Sequence, residues 1–302
     1  MEEGKKMTYD EAIAALSAYR DETKKSQRTI ARELGISDGL VSAFLSGSYK
    51  TPHTIIPKVE ALVEVKEKRQ VAPREPGFAE TTISKMVMNA ISYCHLQGKT
   101  AVVYGDAGIG KTMAIREYLK ENSLAIGITV SPCYASITGV NELIAEQLGV
   151  RERVARKIYS EIIGKLRGSG RVLVIDEAQH LTVRTLNHLR CISDESGVGI
   201  ALVGNDEVYT KMKGSGRADF AQLFSRIGMR KQVLTANISK KDVETVFKEA
   251  LPDDESVELL FRIARTNYGL RGAVNVFVNT AAVFGSIAAP ELARMAKEMN
   301  IG

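Results

Sequence analysis

Eight residues, Gly105-Asp-Ala-Gly-Ile-Gly-Lys-Thr112, constrain this chain more than any others. They fit G-x-x-x-x-G-K-[ST], they follow the short apolar run 101–104 (AVVY), and they lead into a segment with helical spacing. Glycines between a strand and a helix let the backbone curl, so that N–H groups point inward at phosphate oxygens while the helix N-terminus adds positive potential. The pattern predicts a phosphate cradle made by Gly105, Gly108, Ile109 and Gly110. Lys111 is expected to reach the β- and γ-phosphates of a nucleotide, and the Thr112 hydroxyl to bind Mg²⁺.

A second motif supports the first. Val172-Leu-Val-Ile-Asp176-Glu177 reads as a buried strand that delivers Asp176 at its C-terminal end, where it can hold the Mg²⁺ shell. Glu177 is then placed to orient and deprotonate the water that attacks the γ-phosphate. The run 199–204 (GIALVG) ends at Asn205, a polar tip that can sense the γ-phosphate or stabilise the following turn. Arg226, near the end of a predicted helix at 220–227, is the candidate arginine finger for a neighbouring subunit's nucleotide, with Arg230 in reserve and a surface salt bridge as the alternative.

The runs 101–104 and 124–130 read as short strands, 172–175 and 199–204 are continuous rather than alternating, as parallel strands covered on both faces are, and a last strand is expected near 230–234. Helices are expected near 139–148, along Val154, Ile158, Ile162 and Leu166, and at 239–250, 254–265, 270–284 and 290–299. The fold class is therefore α/β, a parallel sheet between helices with a C-terminal helical lid, preceded by an all-helical N-terminal domain. The expected boundaries are 1–65 for the N-terminal domain, 66–80 for a charged linker with two prolines, 81–236 for the sheet domain and 237–302 for the lid. The chain has no apolar run of about 18 residues. Its start lacks the apolar core of a secretory signal. Cys94, Cys133 and Cys191 are far apart and form no metal-binding pattern. No membrane association is expected, and a reducing cytoplasm fits best.

The head carries its own motif. In residues 27–46 (QRTIARELGISDGLVSAFLS), Ala31 is small where two helices would cross and Gly35 supplies a turn. Ile30, Leu34, Ile36, Val41 and Phe44 make a small core, and Ser37 can cap the second helix. Together these features resemble a helix-turn-helix. Thr8 and Glu11 fit a capping box for an earlier helix. The exposed positions of the second helix, Ser37, Asp38, Gly39, Ser42 and Ser46, include no side chain suited to a bidentate base contact. Arg28, Arg32 and Lys50 suit phosphates instead, so weak, sequence-independent DNA binding is expected, with a protein-docking module as the alternative. Two further clusters are basic. Residues 151–171 hold seven basic side chains against two acidic, and 211–231 hold six against one. Each suggests an anionic partner or a solvated helix face.

The order of a P-loop, an extra strand, an Asp-Glu strand, a polar sensor and a helical tail resembles the AAA+ ATPases over roughly residues 80–302. That resemblance implies ATP and Mg²⁺ as cofactors, ATP hydrolysis, and nucleotide held between subunits. It also implies a lid arginine, for which Arg271 is the candidate although it follows Gly269 by only two positions. Together with the head, the stretch 223–227 (LFSRI) and Ile175-Asp-Glu-Ala178, nearly the whole chain is similar to the target-DNA-binding ATPases of transposing bacteriophages. The similarity implies a homo-oligomer or helical filament that forms with ATP on duplex DNA without sequence choice and delivers it to a transposase. The DNA candidates are Arg151, Arg153, Arg156 and Lys157, with Tyr118 and Lys120 as weaker ones; for Tyr118 the alternative is packing. Competing functions are a helicase loader and an ATP-gated transcriptional regulator.

Overall fold

The computed structural model describes residues 7–71, 75–213 and 226–301. The chain divides into two compact units, residues 1–73 and 74–302.

Among the described residues the first unit has four α-helices, α1 (Tyr9–Thr23), α2 (Gln27–Leu34), α3 (Asp38–Leu45) and α4 (Ile56–Val71). The Thr8 hydroxyl accepts the Glu11 N–H, and the Thr8 N–H donates to the Glu11 carboxylate, so the capping box forms. Gly35 ends α2 at φ +63°, a conformation that favours glycine, and turns the chain into α3. Ile30, Ala31, Leu34, Val41 and Phe44 are buried with Leu16 of α1 and Val59 of α4. Two details differ from expectation. Ser37 stands at the N-cap of α3 but makes no side-chain cap bond; the Leu40 N–H closes the first turn on the Ser37 carbonyl. Helix α4 continues to Val71, into the stretch expected as linker. The charged run 66–70 is made of good helix formers, and no proline interrupts until Pro73.

The second unit alternates helix and strand: α5 (Thr82–Gln97), β1 (Thr100–Gly105), α6 (Lys111–Glu121), β2 (Ala125–Thr129), α7 (Ile137–Gln147), α8 (Ala155–Leu166), β3 (Val172–Asp176), α9 (Val183–Ser196), β4 (Gly199–Gly204), α10 (Asp206–Lys213) and β5 (Ile227–Val233). Four helices follow, α11 (Lys240–Phe247), α12 (Asp254–Ala264), α13 (Gly269–Phe284) and α14 (Ala289–Glu298). The five strands are parallel in the order β2-β3-β4-β1-β5. Successive side chains point to opposite faces, so the apolar strands bury both. Ala101, Val103, Val172, Val174, Ala201 and Val203 join one core with α5 and α6. Val102, Leu173, Ile175, Ile200 and Leu202 join the other with α7, α8 and α9. Leu260, Ile263, Val276 and Leu292 of the C-terminal helices belong to the first core, so the helical tail rests on the sheet domain rather than on a core of its own.

Strand β5 begins three residues before the expected 230–234. It is hydrogen-bonded only to β1 among the described residues, and an edge strand carries Gly228, Arg230 and Gln232 without needing an unbroken apolar run. Val154 precedes α8 and is exposed, leaving Ile162, Ile163 and Leu166 as the buried stripe. No single described helix is long and apolar enough to cross a membrane.

Candidate functional site

A cavity of about 670 Å³ lies where the C-terminal ends of the strands meet the lid, a size suited to a nucleotide. Its floor follows from three glycines. At Gly105, φ is +143° and a β-carbon would stand 1.7 Å from the Val233 carbonyl oxygen, so β5 passes too close for any side chain. Gly108 and Gly110 hold φ of +70° and +98°, which bends the loop around an open centre. Ile109 is buried in the core and anchors the loop from below. Helix α6 starts at Lys111 with Gly110 as a cap that has no side chain to offer. Its first N–H groups are thus left for a ligand, and an anion suits them.

Lys111 folds onto this loop, its ammonium donating to the carbonyls of Gly105 at 3.0 Å and Asp106 at 2.5 Å. Burial pushes its pKa down, against the pull of the Glu177, Asp176 and Asp106 carboxylates. The Thr112 hydroxyl donates to Asp176 Oδ2 at 2.8 Å, and the Glu177 N–H donates to Oδ1 at 2.9 Å. Asp176 is 4% exposed, and burial pushes its carboxyl up while these two bonds pull it down. A hydroxyl and a buried carboxylate in contact are hard oxygen donors of the kind Mg²⁺ takes alongside phosphate. The residues present fit both a triphosphate and that cation.

Glu177 sits at φ +56°, and its carboxylate accepts the side-chain amide of Gln179. Asn205 also lines the cavity, next to the Asp176 strand, but its Oδ1 accepts the Glu207 N–H at 2.9 Å and so caps the start of α10. The turn-stabilising bond is thus present in a side chain that also lines the cavity. Arg271 lines the cavity from the first turn of α13, and its N–H donates to the Gly108 carbonyl at 2.9 Å. A β-carbon on Gly269 would meet that same carbonyl oxygen at 2.8 Å, so glycine lets the lid helix touch the loop.

Arg226 is not among the cavity residues. It lies in the turn just before β5, exposed, 3.9 Å from Asp194. The helix expected around it falls mostly on 214–225, outside the described residues, as does Arg217 of the second basic cluster. Arg230 lies on β5 opposite Val102. Of the DNA candidates, Arg151 and Arg153 occupy the connection before α8 and Arg156 and Lys157 its first turn, all exposed. These four basic residues thus lie on a loop and a helix start. Tyr118 is buried and hydrogen-bonded to His95 at 3.0 Å, which makes it a packing residue; Lys120 pairs with Glu117 at 2.9 Å. Arg28, Arg32 and Lys50 are exposed on the first unit.

Sequence reasoning missed three contributors. Gln179 had no motif to mark it. Arg116, one turn along α6 from Thr112, lines the cavity; its spacing could have indicated this, since positions four apart share a helix face. Residues 75–79, within the expected linker, form a cavity wall with Phe78. The chain is pinned just beyond them, where the Asp242 carboxylate of α11 accepts the Thr82 N–H at 2.6 Å and its hydroxyl at 3.0 Å.

Comparison with known proteins agrees with this geometry. An AAA domain family model matches residues 95–212. The chain is 34% identical over 270 residues to the Mu-like prophage FluMu DNA transposition protein B of Haemophilus influenzae, covering 86% of this chain and 92% of that protein. It is 31% identical over 271 residues to the ATP-dependent target DNA activator B of Escherichia phage Mu, covering 88% and 86%. The protein of that name from Escherichia phage D108 matches at 31% identity over the same shares of each chain.

Proposed function

The chain belongs to the family of B-type DNA transposition ATPases of Mu-like phages, and from that premise we propose that it is a target-DNA protein that assembles on duplex DNA with ATP and presents that DNA to a transposase. ATP hydrolysis itself follows from the AAA domain and the ATP-dependent relatives. The same matches make it an AAA+ enzyme of phage transposition. Binding without sequence choice, self-assembly into an oligomer or filament, and Mg²⁺ dependence are the parts we add.

In this reading the uncapped start of α6 and Lys111 hold the phosphates, and Arg271 closes on them from the lid. Thr112 and Asp176 hold Mg²⁺, which when bound neutralises phosphate charge. Glu177 takes a proton from water as the water oxygen bonds to the γ-phosphorus, and the bond from that phosphorus to the bridging oxygen breaks, releasing ADP.

The observation that carries assembly is the placement of Arg226. Gly105 pairs with Val233 at the cavity end of β5, whereas Arg226 precedes Ile227 at the other end. Seven steps of strand from Arg226 to Val233 put them roughly 23 Å apart, beyond the reach of an arginine side chain. Its charge suits a neighbour's nucleotide, which makes ATP a link between subunits. Arg151, Arg153, Arg156 and Lys157, with Arg28, Arg32 and Lys50 on the first unit, are exposed and suited to phosphates.

Sedimentation with random-sequence duplex, with and without ATP across a salt series, tests this. Large ATP-dependent assemblies that weaken steeply with salt are expected. A small species indifferent to ATP, or a strong preference for one sequence or for single strands, would favour a regulator or a helicase loader instead.

A further inference from the structure

Gln179 is used at both ends of its side chain. Its Nε2 donates to Glu177 Oε2, and its Oε1 accepts the Asn205 backbone N–H at 3.2 Å. These partners demand opposite chemistry, since a carboxylate takes only a donor and an N–H only an acceptor. A neutral amide answers both. A glutamate would set charge against charge, and a leucine would answer neither. The surroundings are shaped to it. A β-carbon on Gly204 would stand 2.4 Å from Gln179 Oε1, so a side chain at the tip of β4 would evict the amide. The Gln179 carbonyl accepts the Lys211 ammonium of α10. Glu177, meanwhile, holds φ +56°, a conformation unfavourable to a non-glycine residue that persists only where neighbours hold it.

We propose that Gln179 is a positioning residue for ATP hydrolysis, tying the Glu177 carboxylate to the tip of β4 so that Glu177 and Asn205 face the attacking water in one fixed arrangement. Its bond occupies Oε2 and leaves Oε1 to take the proton. The inference rests on the reading of Glu177 as the base. It also connects that base to α10, because the residue that orients Glu177 is held by Lys211.

The test is steady-state hydrolysis by Gln179→Leu and Gln179→Glu in the full chain, beside binding of a fluorescent ATP analogue. Turnover is expected to fall at least about tenfold in each, while KM and analogue affinity stay within about twofold, the pattern of an interaction that acts on the transition state. In a Glu177→Gln background, adding Gln179→Leu is expected to change residual turnover by less than about twofold, because the two residues act as one unit. Unchanged turnover in Gln179→Leu overturns the proposal. So does a loss of analogue binding equal to the loss of turnover in both variants, which marks a structural role; Gln179→Glu keeps the volume and the Asn205 bond, so it decides if the leucine variant fails to fold. Full turnover in Glu177→Gln alone removes the base reading first, and the inference with it.

Discussion

Gly108 and Gly269 stand back to back: a β-carbon on Gly269 would lie 2.8 Å from the Gly108 carbonyl oxygen, and one on Gly108 would lie 2.9 Å from the Tyr268 carbonyl oxygen. The lid helix and the phosphate loop touch backbone to backbone there, with the Arg271 N–H donating to the Gly108 carbonyl. Gly269 also holds φ +61°. Gly269→Ala should therefore destabilise the protein by roughly 1–3 kcal/mol and weaken ATP binding by moving the lid. Thermal melting with and without ATP checks both; an unshifted melting point would refute the importance of this close approach.

Lys111→Ala should lower ATP affinity by about 100-fold, since it removes charge-assisted bonds to phosphate. Glu177→Gln should leave affinity within about threefold but cut turnover by about 10² or more. Equilibrium binding and single-turnover hydrolysis separate the two effects. Equal losses of affinity in both variants would contradict the separate roles.

Arg226→Ala should bind ATP normally and fail to hydrolyse it. Mixed with Lys111→Ala subunits, which keep their own Arg226, it should regain turnover. No regain at any mixing ratio would argue for a surface role in the ion pair with Asp194.

Arg153→Gln with Arg156→Gln should weaken duplex binding uniformly across sequences. The slope of log affinity against log salt should fall by about one for each phosphate left without its arginine. A changed sequence preference with an unchanged slope would move these residues away from phosphates.

Cys94 gives a prediction with a sign. Burial pushes its thiol up from 9.0 to about 12, so the folded state keeps a proton that the unfolded state gives up. The stability this contributes is fully present below pH 9 and is lost as pH rises toward 12. Cys94→Ala should flatten the fall in melting temperature above pH 9, and a thiol reagent at pH 8 should label exposed Cys133 in the folded protein while sparing Cys94.

Much of this was legible because it is periodic or has fixed spacing. The buried runs of β1, β3 and β4 are mostly apolar, and the P-loop glycines sit at fixed offsets. The lid helices were also visible, since their apolar faces repeat at helical spacing. What escaped depends on partners distant in sequence. Gln179 matters because of Asn205, 26 positions away, and residues 75–79 because Asp242 of the lid holds the chain beside them. Polar composition misled twice. The run 66–70 has the composition of a linker but is helix, and β5 begins earlier than its apolar residues indicate because an edge strand tolerates glycine and arginine. Ser37 shows that a residue of the right type at a cap position need not make the cap bond.

If Arg226 serves a neighbour's nucleotide, as we propose, its distance along β5 from the loop at Gly105 would let a lone molecule load its fuel in isolation but burn it only in company. The rate of consumption per molecule would then measure local crowding, and where molecules gather on a stretch of DNA the same gathering would start the clock that clears it.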